Sequence, residues 1–513
     1  MKLSIRFLCA FLLAGGVVLA GQTPQAPSQV QVFEGAIDVR VVNVEAVVTD
    51  AKGERVAKLP AADFRLLVDG VEVPIEYFTE VAEGTAVTAE VPGSPATAPV
   101  SAGEEVARNY LIYIDESFSV ANVRDAVLDK LESDLSLLAP ADRMAVVVFN
   151  GTQIEVLSGW TGDRAALAAA LAQARRRPAN GNQMWAHQRK LQRDVDWLFD
   201  NANSLDDGDT KGPSIIGAAV GWMSNRISPE ALTQLGKTAP GIASTLRGFE
   251  APPGRKVMML LSGAWSLGVG PRLFGPLIQS ANRLGYTIYP VDVAQSDATM
   301  VTLLDSVARA TGGRVVVSAK QEVFRAVVAD SGSYYWLGFT PSWKADDRGH
   351  RITVETRRPG LTVRARSGFS DLSARTENAM KAEGVLLFGG AERDRRLIVQ
   401  LGEPRRAGRG QLEVPVTLGI PVESLALAAA GSRFVAETPL AASVQDDRGG
   451  RADLPATHLR AVLDARPANG TYARFQMVVR LSDAPQRLVF TVKDPVNGTS
   501  LWGQADFKPR SKR

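Results

Sequence analysis

Five short apolar runs alternate with amphipathic segments in the middle of this 513-residue chain, and this alternation constrains the fold more than any other feature. Runs that are apolar throughout are typical of strands buried on both faces, as in a parallel sheet covered by helices. We therefore predict a doubly wound α/β domain over residues 108–333, with an antiparallel edge strand at 152–158. The runs are YLIYI (110–114), RMAVVVFN (143–150), RKVMMLL (255–261), YTIYPVDV (286–293) and RVVVSA (314–319).

β-structure is predicted on both sides of this domain. Apolar and polar residues alternate before it, and an Asp-Gly pair at 69–70 is a strong hairpin signal because glycine tolerates a positive φ. The β segments at 33–81 and 334–370 are each too small for a core of their own. We predict that they pair as one β-sandwich that the α/β domain interrupts.

The remaining segments differ in composition. Residues 82–107 are rich in Ala, Pro, Thr and Gly without a period, which predicts a linker. Residues 178–213 form an insertion, mostly helical and then acidic. From 386 to 508 only alternating stretches occur, which predicts a separate C-terminal β-sandwich.

The N-terminus has the order of a secretory signal peptide. Lys2 and Arg6 precede an apolar run at 7–20 that ends in small residues. Cleavage after Ala20 is expected, although a retained membrane anchor is the alternative; the run is shorter than the roughly 20 residues that span a bilayer. Cys9, the single cysteine, lies inside the run, so the mature chain would have none. Export without disulfides predicts a bacterial periplasmic or secreted protein with no membrane span after cleavage.

Polar side chains follow the first strand of the predicted sheet. Asp115, Ser117 and Ser119 stand at alternate positions where the strand passes into a helix. Ligands of open α/β sheets bind at this end of the strands, and hard oxygen ligands suit Mg²⁺, Mn²⁺ or Ca²⁺. The alternative is helix capping by Ser119 or a neighbour, with Asp115 favouring the helix dipole. Glu116 is expected to face solvent or ligand and receives no role.

The stretch DESFS (115–119) resembles the Asp-x-Ser-x-Ser motif that opens the metal-ion-dependent adhesion site of von Willebrand factor type A (VWA) domains. The resemblance extends over roughly 38–370. The segments VEAVVTDAKGERVAKLPAADFRLLVDGVEVPIEYF, WTGDRAALAAAL and VARATGGRVVV, and the later YYWLGFTPS and GHRITVETRRPGLTVRARSGF, are similar to an exported "VWFA-related" family known mainly from Acidobacteria. The resemblance implies a VWA-like, Rossmann-like domain flanked by β-sandwiches.

The family site also implies a threonine and an aspartate on two later loops. In PSIIGAAV the matching position is Ser214, which still offers a hydroxyl. In MMLLSGAWS the matching position is Gly263, so the expected carboxylate is absent. Losing one anion weakens the attraction of a divalent cation. Asp207 or Asp209 in the insertion is a possible replacement.

We expect a binding protein rather than an enzyme. No general base, activated nucleophile or G-x-S-x-G elbow is evident in the sequence. The resemblance implies a cation at Asp115, Ser117, Ser119 and Ser214 that accepts a carboxylate from a protein partner. An exported scaffold whose VWA domain binds no metal is the alternative. With 58 basic and 55 acidic residues and no basic stripe, nucleic acid is not expected as a partner.

Overall fold

The computed structural model describes most of the chain from residue 41 onwards. The predicted signal peptide, most of the 178–213 insertion, and the candidate residues Asp207, Asp209 and Ser214 lie outside the described residues. The chain forms two compact units, Arg40–Asp371 and Leu372–Arg513. The described residues are 41–90, 100–183, 186, 229–263, 271–294, 298–317, 322–343, 345–390, 392–447, 449–465, 468, 470–494, 498 and 500–509.

Two antiparallel sheets form the β part of the unit Arg40–Asp371. One has the order β14-β1-β12-β4-β5 and the other β15-β13-β2-β3, and apolar side chains of both share one buried core. The early strands pair with the late ones: β1 with β12 and β14, and β2 with β13. The strands are β1 (Val42–Thr49), β2 (Phe64–Val68), β3 (Val71–Val73), β4 (Tyr77–Ala82), β5 (Thr85–Glu90), β12 (Tyr334–Phe339), β13 (Gly349–Thr356), β14 (Thr362–Ala365) and β15 (Gly368–Ser370).

The prediction of a linker over 82–107 is wrong at both of its described ends. β5 pairs antiparallel with β4, and Val106 is buried. The β5 sequence TAVTAE contains β-branched residues whose strand preference depends on a neighbouring strand, which composition alone does not reveal.

The chain leaves the β part and returns to it at one place. The N–H of Gly84 donates to the carbonyl of Gly332 at 2.7 Å, and the N–H of Val106 donates to the carbonyl of Gly84 at 2.8 Å. The N–H of Glu83 donates to Ser333 Oγ at 2.9 Å. The outgoing segment at Val106 and the returning segment at Gly332 are therefore both hydrogen-bonded to Gly84, in the turn between β4 and β5.

A six-stranded sheet is formed by the chain between the outgoing and the returning segment. Its order is β11-β10-β9-β6-β7-β8, with parallel neighbours except for the antiparallel edge strand β8. The strands are β6 (Arg108–Asp115), β7 (Arg143–Phe149), β8 (Ile154–Thr161), β9 (Arg255–Ser262), β10 (Tyr286–Asp292) and β11 (Val316–Val317). The helices described are α1 (Ala121–Ser133), α2 (Arg164–Arg175), α3 (Pro229–Gly248), α4 (Pro271–Leu284), α5 (Ala298–Ala310) and α6 (Val323–Ser331).

Two apolar cores use alternate residues of this sheet. Ile112 of β6 packs in a core with α1, α2 and α6, whereas Tyr113 packs in a core with α3, α4 and α5. Side chains of a strand alternate between its faces, so fully apolar runs are needed where both faces are covered. This mixed α/β arrangement fixes the strand ends on which polar side chains meet.

The unit Leu372–Arg513 contains one helix and two antiparallel sheets around a common core. The helix α7 (Ala374–Phe388) includes residues 386–388, so the predicted C-terminal β-sandwich begins later than residue 386. The strands are β16 (Ile398–Leu401), β17 (Arg405–Gly408), β18 (Gln411–Pro421), β19 (Ala428–Ala430), β20 (Arg433–Asp446), β21 (Arg451–Leu463), β22 (Tyr472–Ser482), β23 (Gln486–Lys493) and β24 (Ser500–Phe507).

Candidate functional site

The candidate site lies where three neighbouring parallel strands end. β6 ends at Asp115, β9 at Ser262 and β10 at Asp292. In sequence order the chain adds β7 on one side of β6 and β10 on the far side of β9, so the strand order reverses here. This position is where ligands enter open α/β sheets. All three side chains are at least nine-tenths buried.

The Asp115 carboxyl is held by groups from two strands. Ser262 Oγ donates to Asp115 Oδ2 at 3.0 Å, and the N–H of Ser117 donates to Asp115 Oδ1 at 3.0 Å. Asp115 has no exposed surface, and this burial raises the pKa of its carboxyl to about 7, against the lowering effect of its hydrogen bonds. The carboxylate therefore occupies a place where a positive charge would stabilise it.

The two serines of the first loop are buried beside Asp115. Ser119 Oγ donates to the backbone carbonyl of Asp115 at 2.6 Å, which closes the loop on itself. Ser119 does not cap the helix, because α1 begins after Val120 without a side-chain cap. The capping interpretation is therefore wrong. A Cβ added to Gly151 would lie 2.8 Å from Ser117 Oγ and would collide with it. Glycine at 151 therefore avoids a clash with the Ser117 hydroxyl.

Thr238 of α3 is a site residue that the sequence interpretation missed. It is fully buried, and its hydroxyl lies close enough to Asp115 to lower the pKa of that carboxyl. Its Oγ1 nevertheless has no hydrogen-bond partner of good geometry in the described part of the chain. A buried hydroxyl without a partner costs free energy unless something else binds it.

A local signal for Thr238 exists in the sequence. GKTAPGIA (236–243) is a run of small residues around a threonine, as expected where a helix approaches a strand end closely. A Cβ on Gly241 would lie 3.2 Å from both the Tyr113 hydroxyl and the Phe149 ring. Ser214, chosen instead, lies outside the described residues. Choosing between the two small-residue runs requires the helix position, which the sequence pattern does not give.

Asp292 lies next to the place of the missing aspartate. A Cβ added to Gly263 would fall 2.5 Å from Asp292 Oδ1, so this carboxylate occupies the space that a side chain at 263 would need. Asp292 Oδ1 also accepts the N–H of Ala294 at 3.0 Å. In the strand register Ser262 stands opposite Asp292 and next to Asp115. A carboxylate of the adjacent strand thus lies beside the position where the expected aspartate is absent.

The wall of the first loop is an ion-pair network. Glu116 is 2% exposed and pairs with Arg177, so the expectation that it faces solvent or ligand is wrong. The buried Arg124 of α1 donates to the carbonyls of Arg175, Arg177 and Pro178 at 2.9–3.1 Å. These bonds hold the segment after α2 against α1. Glu116 in turn connects the first loop to this segment through its ion pair with Arg177.

The chemistry of the site is that of hard oxygen ligands. Asp115 supplies a carboxylate, and Ser117, Ser119 and Thr238 supply hydroxyl oxygens. Within the described ranges, no three His, Cys, Asp or Glu side chains come together as a metal cluster. A cation here would depend on hydroxyl oxygens around one carboxylate, a donor set that suits Mg²⁺, Mn²⁺ or Ca²⁺ rather than zinc.

Comparisons with known proteins do not assign a family or a function to this chain. No protein-family model matches the chain, and no curated protein matches it either. Among solved structures, the VWA domain of SpRpn10 matches 43% of this chain and 93% of its own at 11% identity, with a TM-score of 0.19. The pilus adhesin SpaC from Lactobacillus rhamnosus GG matches 78% of this chain and 57% of its own at 7% identity, with a TM-score of 0.24. These scores are too low to establish a fold.

Proposed function

We propose that this chain binds a protein partner through a divalent cation held at the ends of β6 and β9. The proposed ligands are Asp115, Ser117, Ser119 and Thr238, with Thr238 in the role that the family resemblance implies for Ser214. The observation that carries the proposal is the buried Thr238 hydroxyl, which lies close to Asp115 but makes no hydrogen bond of good geometry among the described residues. A divalent cation would be coordinated by this hydroxyl oxygen and would neutralise the buried Asp115 carboxylate.

The fold proposed for this part of the chain is a doubly wound, VWA-like domain. Helices from two separate cores flank the six-stranded sheet, and the strand order reverses at the site, both of which support this fold. The departure is Gly263, where the family site has an aspartate. Asp292 supports cation binding despite this departure, because it places a second carboxylate beside Ser262.

The proposed partner supplies a carboxylate that completes the coordination of the cation. The role is binding and adhesion rather than catalysis. The signal-like N-terminus supports export to the periplasm or the cell exterior. None of the described helices is both long and apolar enough to cross a membrane.

A structural scaffold is the second candidate. The replacement of the expected aspartate by Gly263 favours it, since a site with one carboxylate fewer attracts a cation less. The many strands of the unit Leu372–Arg513 also suit an assembly role. In this case the α/β part would bind no cation.

Thermal unfolding of the purified chain with and without Mg²⁺, Mn²⁺ or Ca²⁺ separates the two candidates. A cation at 100 times its Kd adds about 2.7 kcal/mol, a rise in Tm of roughly 5 °C for the unit that holds it. Thr238→Val keeps the shape of the side chain but removes the hydroxyl, and we expect it to abolish most of this rise. Asp115→Asn should abolish it fully.

The matched control is Thr245→Val, seven residues further along α3. Thr245 is equally buried, but its Oγ1 donates to the carbonyl of Gly241 at 2.9 Å. It should change the Tm without cation and leave the cation-induced rise intact. No rise in the wild-type chain would favour the scaffold. Retention of the chain on immobilised polyglutamate in Mn²⁺, lost in Thr238→Val, would show that the cation accepts carboxylates.

A further inference from the structure

A cavity of about 310 Å³ lies at the opposite end of the same sheet, between the β part and the α/β part of the unit Arg40–Asp371. Three cations line it: Lys256 at the start of β9, Arg283 near the end of α4, and Arg366 just after β14. Glu45 and Asp371 are the carboxylates of the lining. The three cations come from distant parts of the sequence, so the folded chain alone brings them together.

The three cations bind backbone oxygens. Lys256 Nζ donates to the carbonyl of Leu284 at 3.0 Å, and Arg283 donates to the carbonyl of Asp347 at 3.3 Å. Arg366 donates to the carbonyls of Asn282 at 2.8 Å and Asn43 at 2.5 Å. Carbonyl dipoles compensate a buried cation less well than a carboxylate does.

Some donor groups of the lining cations have no acceptor in the part of the chain that the structure describes. The Nε–H groups of Arg283 and Arg366 are buried and have no hydrogen-bond partner among the described residues. Arg366 is only 9% exposed. Lys256 Nζ carries three donors, of which one is used by Leu284. A buried N–H group without an acceptor costs free energy, so the two guanidinium groups are incompletely compensated within the described ranges.

The charges also favour an anion. Burial lowers the pKa of Arg366, and Glu45 alone opposes this effect. Burial likewise lowers the pKa of Lys256, which Glu45 and Glu250 oppose and Arg366 reinforces. The half-buried Glu45 forms no salt bridge to either cation among the described residues. The lining holds three cations against two carboxylates, Glu45 and Asp371.

We propose that this cavity binds a small oxyanion, a carboxylate or a phosphate, through Lys256, Arg283 and Arg366. The volume is at the lower end of small-molecule sites, so the ligand is a compact molecule. Charge-assisted hydrogen bonds from guanidinium and ammonium groups are the strongest that a protein offers to such oxygens. Phe369 and Trp336 are among the apolar residues of the lining.

Isothermal titration of the full chain with inorganic phosphate and with succinate tests the proposal. The buffers are freed of divalent cations on a chelating resin, because EDTA is itself a polycarboxylate, and the ionic strength is held constant. Saturable binding of phosphate alone identifies a phosphate site, and tighter binding of succinate identifies a carboxylate site. The absence of saturable binding for both anions overturns the proposal. The result does not depend on the Asp115 site.

Three variants locate the binding. Lys256→Met and Arg283→Gln should each weaken it about tenfold or more, since each removes a charge-assisted bond. Lys130→Met, an exposed lysine of α1, is the matched control and should leave the Kd unchanged. Glu45→Gln should tighten binding about threefold or more, because it removes a competing carboxylate without removing a donor. Equal weakening in Lys130→Met, or no gain in Glu45→Gln, would contradict the site.

Discussion

The two ends of the six-stranded sheet carry opposite chemistry. At the carboxyl end, Asp115, Ser262 and Asp292 present oxygens, whereas at the amino end Lys256 and Arg366 present cations. β9 alone supplies Lys256 near its start and Ser262 at its end. The first residues of parallel strands all lie at one end of the sheet, and their last residues all lie at the opposite end. A single fold can therefore hold two charged sites of opposite sign, about 20 Å apart along one strand.

Two arginines at the amino end show why one cation is structural and another is available. Arg364 pairs with both oxygens of Asp330 at 2.7 Å, whereas Arg366, two residues later, bonds only backbone carbonyls within the described ranges. Burial acts to lower the pKa of Arg364, but Asp330 outweighs it and the pKa is raised. The pKa of Arg366 is lowered by burial. A side chain that already has its counter-ion does not need a ligand.

The largest expected effect separates these two arginines. Arg364→Met removes the closest counter-ion of the largely buried Asp330 and leaves it only the more distant Arg314, at 3.3 Å, among the described residues. We expect a loss of about 2–4 kcal/mol in the free energy of unfolding. Arg366→Met removes a cation that has no carboxylate partner, and we expect a loss of about 1 kcal/mol. Urea unfolding at neutral pH measures both. Equal losses would mean that Arg366 is as fully compensated as Arg364.

A smaller effect tests the carboxyl end. Gly263→Ala places a Cβ 2.4 Å from the Cβ of Ala294 and 2.5 Å from Asp292 Oδ1, so we expect a loss of about 1–3 kcal/mol from overpacking. The matched control is Gly275→Ala in α4, where a Cβ meets nothing within 4 Å. It should stabilise the chain by about 0.5–1 kcal/mol, because alanine is the better helix former. A neutral Gly263→Ala would show that Asp292 does not fill this space.

The smallest expected effect is a change with pH in the Asp330 pair. Burial acts to raise the pKa of Asp330, but Arg364 outweighs it and the pKa falls below its ordinary value of 3.8. A lowered pKa in the folded state contributes stability above the unfolded-state pKa of 3.8, and this contribution is lost as the pH falls through the folded-state pKa. Asp330→Asn should therefore lose less stability than the wild-type chain between about pH 5 and about pH 2.5.

The control for this measurement is Asp129→Asn, whose carboxylate is 67% exposed. It should follow the wild-type curve. Parallel curves for the wild-type chain and Asp330→Asn would show that the Arg364 pair does not contribute to acid sensitivity.

The sequence predicted the mixed α/β fold because burial on both faces leaves a local pattern. The apolar run at 110–114 falls inside β6, and the polar positions after it reach the strand end as expected. Local pattern was insufficient for β5, whose strand depends on pairing with β4. It was also insufficient for Thr238, because two small-residue runs were possible and only the fold places α3 against Asp115.

Two features had no local signal. Asp292 lies beside Gly263 because β10 is the neighbour of β9 in the sheet. The sequences of the two strands do not predict that they are neighbours. The cationic cavity combines positions 45, 256, 283 and 366, which are separated by long stretches of chain. Electrostatic sites assembled from distant single residues become visible only when the topology is known.

The crossing point at Gly84 and Gly332 has a consequence for folding kinetics. For β1 and β12 to pair, the chain between them, which includes residues 108–331, must be closed as one very long loop. Closing a long flexible loop costs conformational entropy. Once the α/β part has folded, its two ends already lie close together, since Val106 and Gly332 both bond the backbone of Gly84. We therefore expect the six-stranded sheet to form first and the strand pair β1–β12, with its very large sequence separation, to form late.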